Sequence, residues 1–121
     1  MKLLFICSQN LHRSKTAEII FREKYKGKHE VKSAGFWCED SASNKSSFKP
    51  QHPTVLITRD LMQWPDIIFV FEQMHIDEIR ERFPAEYLTK KIINLEIPDI
   101  YSRGDLRLRE LLLEKVPKNL K

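Results

Sequence analysis

The residues best suited to chemistry form one short segment near the N-terminus, Cys7-Ser-Gln-Asn-Leu-His-Arg13-Ser14. An apolar run at residues 2–6 precedes the cysteine, and Ala17, Ile20 and Phe21 recur at helical spacing after the arginine. The segment is therefore predicted to be the loop by which a buried strand leads into an amphipathic helix. Unpaired N–H groups at a helix start bind anions and favour the thiolate form of a cysteine. The pattern indicates a thiolate nucleophile at the floor of an oxyanion cradle, with a planar guanidinium at its rim.

Each of these residues also has an ordinary structural interpretation. A cysteine at the end of a buried strand commonly serves as a small apolar filler, and an arginine early in a helix is commonly solvated. The catalytic interpretation depends on context: the strand before Cys7, the hydroxyl of Ser14 next to Arg13, and the helix that follows. Cys38, the second of the two cysteines, lacks this context and is predicted to be a bystander.

The elements that must position this loop alternate along the chain between strands and helices. Short apolar runs predict four strands, at residues 2–6, 30–34, 67–71 and 91–95. Helical periodicity predicts a first helix that ends near Gly27 and later helices at 57–64, 73–83 and 106–116, stopped by Pro65, Pro84 and Pro117. The polar stretch 36–54 is predicted to be a surface loop. Such alternation predicts a parallel sheet in an α/β fold.

Length and composition limit the class of protein. A chain of 121 residues suits a single domain, predicted here over residues 1–121, and its 41% hydrophobic residues are sufficient for a packed core. Charged residues make up 31% and are spread along the chain, which excludes wholesale disorder. No apolar run near the N-terminus is long enough for a membrane span or a signal peptide, so a cytoplasmic protein without a membrane partner is expected.

Charge and cysteine content narrow the expected ligands. The net charge of +4 favours anions, phosphorylated ligands among them, without identifying one. With two cysteines and no Cys-x-x-Cys, the sequence predicts neither a disulfide framework nor a metal site, and no cofactor is expected. The sequence shows no platform of interleaved aromatic and basic residues, so nucleic acid is not an expected partner.

Four segments together carry a resemblance to a known family. They are residues 4–21 with the cysteine loop, residues 31–35 ending in Ser-Ala-Gly, residues 64–72, and Ile97-Pro-Asp-Ile-Tyr101. In this order they resemble the low-molecular-weight protein tyrosine phosphatases, and most closely a short bacterial branch of that family. The resemblance implies an α/β three-layer sandwich with a four-stranded parallel sheet. It covers most of the chain and is most specific at the cysteine loop.

The resemblance implies a role for each residue of the loop. Cys7 would attack phosphorus as a thiolate and form a phosphocysteine that water then hydrolyses. Ser14 would donate a hydrogen bond to the sulfur, and Asn10 would brace the loop. Arg13 and the loop amides would hold the phosphate oxygens. The phosphate-binding residues implied in this way are Ser8, Gln9, Asn10, Leu11, His12, Arg13 and Ser14.

The resemblance also implies a general acid and a substrate pocket. Asp99 lies in the segment that carries the family's acid, so it would protonate the leaving oxygen and then activate water. Asp105 is the reserve candidate, with the N-cap of the last helix as its structural interpretation. Leu11, Trp37 and Tyr101 are candidates for the wall of a ring-shaped pocket. The expected substrate is a phosphotyrosine-containing protein or a small aryl phosphate, with inorganic phosphate as product or inhibitor.

The chain departs from the family's pattern at three positions near the expected site. Gln9 stands where a glycine is common, and His12 stands where the family has a second loop cysteine. Ile100 replaces the proline that follows the acid. The loop therefore lacks one flexible residue and has no adjacent thiol partner.

Two alternative functions stay open at the level of sequence. An arsenate reductase on the related scaffold would begin with the same Cys7 and Arg13 but would need a further thiol, for which Cys38 is the sole candidate. A non-catalytic phosphate-binding or phosphopeptide-binding domain would use the same cradle without turnover. Cys38→Ser separates the phosphatase from the reductase, since only the reductase should lose its activity. Hydrolysis of an aryl phosphate by the wild type separates the phosphatase from the binding domain.

Overall fold

The computed structural model describes residues 1–37 and 55–120 of the chain. Most of the predicted surface loop at 36–54, including Cys38, lies outside the described residues. The elements in chain order are β1 (Lys2–Cys7), α1 (Arg13–Lys24), β2 (Glu30–Gly35), α2 (Arg59–Gln63), β3 (Ile67–Val70), α3 (Gln73–Arg82), α4 (Pro84–Thr89), β4 (Lys91–Asn94) and α5 (Leu106–Lys118).

The four strands form one parallel sheet in the order β2-β1-β3-β4. At its carboxyl edge, Cys7 lies opposite Gly35. On the other side of β1, Val70 of β3 lies opposite Asn94 of β4. Because parallel strands end at the same edge, the loops that follow β1, β2, β3 and β4 meet there, which is where such sheets bind ligands.

Both faces of the sheet are buried, and this explains the continuous apolar sequence of β1 and β3. On one face, Leu3 and Phe5 pack with apolar residues of α1 and α5. On the other face, Leu4 and Ile6 pack with residues of α2 and α3. The predicted parallel four-stranded sheet and the three-layer α/β arrangement are confirmed. No helix in the described ranges is long and apolar enough to cross a membrane.

Aromatic stacking fastens α1 to the central strands. The ring of Phe5 lies 5.6 Å from that of Phe21 in α1 and 4.9 Å from that of Phe69 in β3, both nearly parallel. Tyr25 extends the stack, 5.5 Å beyond Phe21. This stacking holds the C-terminal half of α1 against the sheet, and the helix begins directly after the cysteine loop.

Two prolines act differently from the prediction. Pro84 ends α3 as expected, but it also begins a further helix, α4, which the sequence analysis missed. A proline suits the first helical position because the N–H it lacks has no partner there anyway. Pro117 lies inside α5, which continues to Lys118 instead of stopping at residue 116. One missing donor in the final turn does not stop a helix whose Leu108, Leu112 and Val116 are buried.

The predicted helix at 57–64 is also shorter than expected. Leu56 forms a parallel bridge to Gly35, and the Ile57 N–H donates to Gly35 O at 2.9 Å. These bonds hold the chain extended beside β2, so α2 begins only after Thr58. The Thr58 side chain accepts the Leu61 N–H and caps the helix.

Candidate active site

The loop at residues 8–12 joins β1 to α1 and wraps back over the sheet edge. Asn10 has a φ of 56°, a left-handed conformation that asparagine tolerates better than most residues. Gly35, opposite Cys7 in β2, comes so close to the loop that a Cβ there would lie 2.7 Å from Asn10 N and from Gln9 C. The loop therefore folds against a strand end that must be bare of a side chain.

The Asn10 side chain is fully buried and satisfied on both sides. Its Oδ1 accepts the Val55 N–H at 2.8 Å. Because that backbone group is a donor, Nδ2 must face the other way, where it donates to Ser14 Oγ at 2.7 Å and to Ser33 Oγ at 2.9 Å. Asn10 thus ties the loop to α1, β2 and the segment before α2, as a bracing residue would.

The hydroxyl of Ser14 lies 2.9 Å from the sulfur of Cys7. Since Ser14 Oγ already accepts a hydrogen bond from Asn10 Nδ2, its own hydrogen is directed to Sγ, and a thiolate there gains a donor. Ser33 Oγ, which accepts the other hydrogen bond from Asn10 Nδ2, donates its own hydrogen to the Glu18 carboxylate. The sulfur is therefore at one end of a buried chain of polar groups.

Arg13 is the largest polar side chain in the interior, with 2% of it exposed. Its Nη1 donates to Glu72 Oε2 at 2.9 Å and to Ile97 O at 2.8 Å. Its Nε is buried without a hydrogen-bond partner among the described residues, and Asp99 Oδ1 lies 3.7 Å away. A buried donor without an acceptor is costly, so this edge of the guanidinium is available for an oxyanion.

A cleft of about 110 Å³ opens over the loop. The thiol of Cys7, the free edge of Arg13 and the Asp99 carboxyl are brought together in it. Its lining residues are Cys7, Ser8, Gln9, Leu11, His12, Arg13 and Asp99. Asn10 and Ser14 lie behind this wall and support it. A larger cavity of about 450 Å³ between Met1, Gly27 and Asp66 lies at the amino ends of the strands and contains no predicted site residue.

The structure separates the two candidate acids. Asp99 lines the cleft and faces Arg13, whereas Asp105 caps α5, its Oδ1 accepting the N–H groups of Arg107 and Leu108. Asp105 is therefore occupied as the N-cap that its sequence position allowed. The general-acid role of Asp99 stays a prediction.

Of the three predicted pocket residues, only Leu11 lines the cleft. Trp37 is 44% exposed, and its ring lies 5.7 Å from that of Phe36. Its backbone N–H donates to Ser8 O at 2.8 Å. Tyr101 packs against the core on the α1 and α5 face. The structure thus places Trp37 beside the cysteine loop and Tyr101 against the core, and neither is part of the cleft wall.

Sequence reasoning missed two residues that serve the site, one just before α3 and one in its first turn. Glu72 precedes the helix and holds Arg13. His75 is fully buried, and its Nε2 lies 3.1 Å from Ser8 Oγ. Burial and the positive charge of Arg13 lower the pKa of His75 to about 4, against a weaker opposite effect of Asp99. The available signal was position: both residues follow a predicted strand that ends at the same sheet edge as Cys7.

The segment that carries Asp99 is tied to the cysteine loop by backbone and side-chain bonds. Arg103 Nε donates to Leu11 O at 2.7 Å, and the Arg103 N–H donates to His12 Nδ1 at 3.2 Å. The Gly104 N–H donates to Thr16 Oγ1 at 3.1 Å. Two of these bonds reach the cysteine loop and the third reaches α1, so together they hold the segment that carries Asp99 beside the site. His12, which departs from the family's cysteine, is one of the anchors.

The comparison with protein families identifies the class. The family described as Low molecular weight phosphotyrosine protein phosphatase matches residues 2–120, so the chain belongs to that family. It is a cysteine-dependent phosphatase, and its substrates are phosphorylated molecules. The family and the class of activity predicted from the sequence are confirmed.

Solved structures show the same fold at low sequence identity. Wzb from Vibrio vulnificus, in complex with benzylphosphonate, has a TM-score of 0.76 at 23% identity, with 97% of this chain and 94% of that one covered. The low molecular weight protein tyrosine phosphatase from T. tengcongensis has 0.76 at 20%, covering 98% and 99%. The YwlE arginine phosphatase from Geobacillus stearothermophilus has 0.73 at 21%, covering 98% and 92%. No curated protein sequence matches the chain significantly.

Proposed function

We propose that this chain hydrolyses aryl phosphate monoesters, in phosphotyrosine-containing proteins or in small molecules, through a phosphocysteine at Cys7. The supporting observation is the convergence in one cleft of the Cys7 thiol, the free Nε edge of Arg13 and the Asp99 carboxyl. A nucleophile, an oxyanion partner and a proton donor are the three groups that phosphoryl transfer to sulfur requires.

The first step transfers the phosphoryl group to sulfur. The Cys7 thiolate attacks phosphorus in line, and the sulfur–phosphorus bond forms as the bond to the phenolic oxygen breaks. Asp99, protonated in this step, gives its proton to the departing oxygen. Arg13 and the loop N–H groups hold the equatorial oxygens, where charge must be stabilised in the transition state.

The second step returns the enzyme to its starting state. The Asp99 carboxylate takes a proton from water as the water oxygen attacks phosphorus, and the sulfur–phosphorus bond breaks. The sulfur leaves as a thiolate, assisted by the hydrogen bond from Ser14. Inorganic phosphate is released, and Asp99 is protonated for the next cycle.

The proposed substrate class rests on the wall of the cleft. Leu11 gives it an apolar side chain next to the phosphate position, which suits a ring better than a charged leaving group. The similarity to an arginine phosphatase makes phosphoarginine the comparison substrate. Because a catalytic thiol acts only while it is reduced, the proposed setting is the cytoplasm.

The test compares three variants on two aryl phosphates. Cys7→Ser is expected to abolish turnover. Asp99→Asn is expected to reduce kcat/KM strongly for phenyl phosphate, whose leaving group needs a proton, and far less for 2,4-dinitrophenyl phosphate, whose leaving group does not. Asp105→Asn is the matched control and should retain activity, because asparagine caps a helix as well as aspartate.

Each arm of the test can contradict the proposal. Loss of turnover in Asp105→Asn together with normal turnover in Asp99→Asn would overturn the proposal that Asp99 is the general acid. Faster turnover of a phosphoarginine peptide than of either aryl ester would overturn the substrate class. Arsenate reduction by the wild type that is lost in Cys38→Ser would favour the arsenate reductase. Phosphate binding without any turnover would favour a binding domain.

A further inference from the structure

Ser8, the first residue after the nucleophile, is held in place from two directions. Its carbonyl oxygen accepts the Trp37 N–H at 2.8 Å, which fixes the backbone. Its hydroxyl lies 3.1 Å from Nε2 of the buried His75 in α3. Ser8 also lines the cleft beside Cys7. A hydroxyl at the cleft wall is therefore oriented by a group from a different element.

The proton positions in this pair follow from the surroundings of His75. Its Nδ1 faces two backbone donors, the N–H groups of Phe71 and Glu72, both at 3.2 Å. That nitrogen must carry a lone pair, so in the neutral ring the proton is on Nε2. Nε2 therefore donates, and Ser8 Oγ accepts. The low pKa of His75, about 4, agrees with a ring that stays neutral near pH 7.

The Ser8 hydroxyl then has its own hydrogen left to give. Within residues 1–37 and 55–120, Ser8 Oγ has no second partner. The same arrangement occurs at Ser14, where accepting from Asn10 directs the hydroxyl hydrogen to the sulfur. Cys7 thus has a serine hydroxyl on each side: the buried Asn10 amide orients Ser14, and the buried His75 imidazole orients Ser8.

We propose that Ser8 is a phosphate-binding side chain that donates its hydroxyl hydrogen to a phosphate oxygen in the cleft, and that His75 is the positioning residue that aims it. This role depends on the cleft being the phosphate site of the proposed function, but it does not depend on turnover. It adds a side-chain donor to the loop amides and Arg13. It also gives a function to a histidine that the two-step mechanism leaves unused.

The experiment measures direct binding of inorganic phosphate to the full chain by titration calorimetry. Ser8→Ala should weaken phosphate binding by about tenfold, the typical effect of losing one hydrogen bond to a charged group. Ser8→Thr should restore most of the affinity, since threonine keeps the hydroxyl. Ser102→Ala, which removes a hydroxyl from an exposed position, is the matched control and should bind as the wild type does.

His75→Asn tests the positioning role. The asparagine carbonyl takes the place of Nδ1 as acceptor for the two backbone N–H groups, while the donor to Ser8 is lost. Phosphate binding should weaken by about threefold or more, and the double variant with Ser8→Ala should be no worse than Ser8→Ala alone. If His75→Asn does not fold, the comparison of Ser8→Ala with Ser8→Thr still decides the role of the hydroxyl.

Two results would overturn the proposal: unchanged phosphate affinity in Ser8→Ala, or equal losses in Ser8→Ala and Ser8→Thr. Additive losses in the double variant would show that His75 acts by another route and would overturn its positioning role. A chain that binds phosphate in this pattern but hydrolyses no aryl ester would contradict the proposed function and leave this inference standing. The two failures are therefore distinguishable.

Discussion

The Arg13 side chain has a structural role at one end of its guanidinium and a proposed phosphate-binding role at the other. Its Nη1 is fully used by Glu72 and by the carbonyl of Ile97, which lock the guanidinium in one orientation. Its Nε faces the cleft 3.7 Å from Asp99 Oδ1 and makes no hydrogen bond with any described residue. A planar group with several donors can do both at once, whereas an ammonium group is a single point charge.

Arg13→Lys is therefore expected to lower kcat/KM for an aryl phosphate by about 100-fold or more, because the ammonium cannot hold Glu72 and the phosphate together. Steady-state kinetics with phenyl phosphate measure the loss. Arg22→Lys is the control, since Arg22 is a largely exposed arginine in the last turn of α1, where it pairs with Glu18. Activity within twofold of the wild type in Arg13→Lys would contradict the assigned role.

Among the elements, the close packing of the end of β2 against the cysteine loop shapes the site. Gly35 ends β2 where Asn10 and Gln9 come down onto the sheet edge. The Asn10 side chain then ties that loop to Ser14 and Ser33. The loop therefore takes its shape from contacts with a second strand as well as from its own residues.

Gly35→Ala tests this contact. The new Cβ would lie 2.7 Å from backbone atoms of the loop, so the loop must shift, and kcat/KM should fall by about 100-fold. The free energy of unfolding should fall by about 1–3 kcal/mol. Gly27→Ala is the control, because its φ of 81° is strained for alanine but no atom lies within 4 Å of the added Cβ. It should lower stability alone; equal activity losses in both variants would contradict the contact.

An element could be predicted from the sequence where neighbouring residues determine it, and could not where tertiary contacts determine it. The four strands and their parallel order were predictable because two buried faces require continuous apolar runs, as in β1. The end of α5 was not predictable, because α5 continues past Pro117 through the burial of Val116, which is a tertiary effect. The start of α4 was not predictable either, because Pro84 begins a helix there as well as ending one. At the site, Cys7 and Arg13 lie in one segment and were found. Glu72 and His75 reach them only through folding.

At the scale of the whole molecule, the sheet edge that holds the site is also sensitive to acid through one buried group. His75 is enclosed, with the Phe36 ring 5.8 Å away. The charged groups that act on it are Arg13, which lowers its pKa, and Asp99, which raises it.

The prediction of a single domain over residues 1–121 is compatible with a family match over 2–120 and stays a prediction.

Stability is expected to fall as the pH is lowered from about 6.5 to about 4, because the unfolded chain protonates His75 in that range and the folded chain does not. Stability therefore rises with pH across this window, and this one group accounts for roughly 3 kcal/mol of the change. Urea unfolding of wild type and His75→Asn across the window measures it. The variant should show the smaller change; parallel curves would contradict the assignment.

Passage of the phosphoryl group through Cys7 can be observed directly in the Asp99→Asn variant. With 2,4-dinitrophenyl phosphate the first step needs no proton, but hydrolysis of the intermediate lacks its base, so the phosphoenzyme should accumulate. The measurement is rapid mixing, followed by a denaturing quench and peptide mapping of the phosphate. We expect a burst of about one phenolate per chain and phosphate on the Cys7 peptide. A linear time course without a burst, or phosphate on another residue, would contradict it.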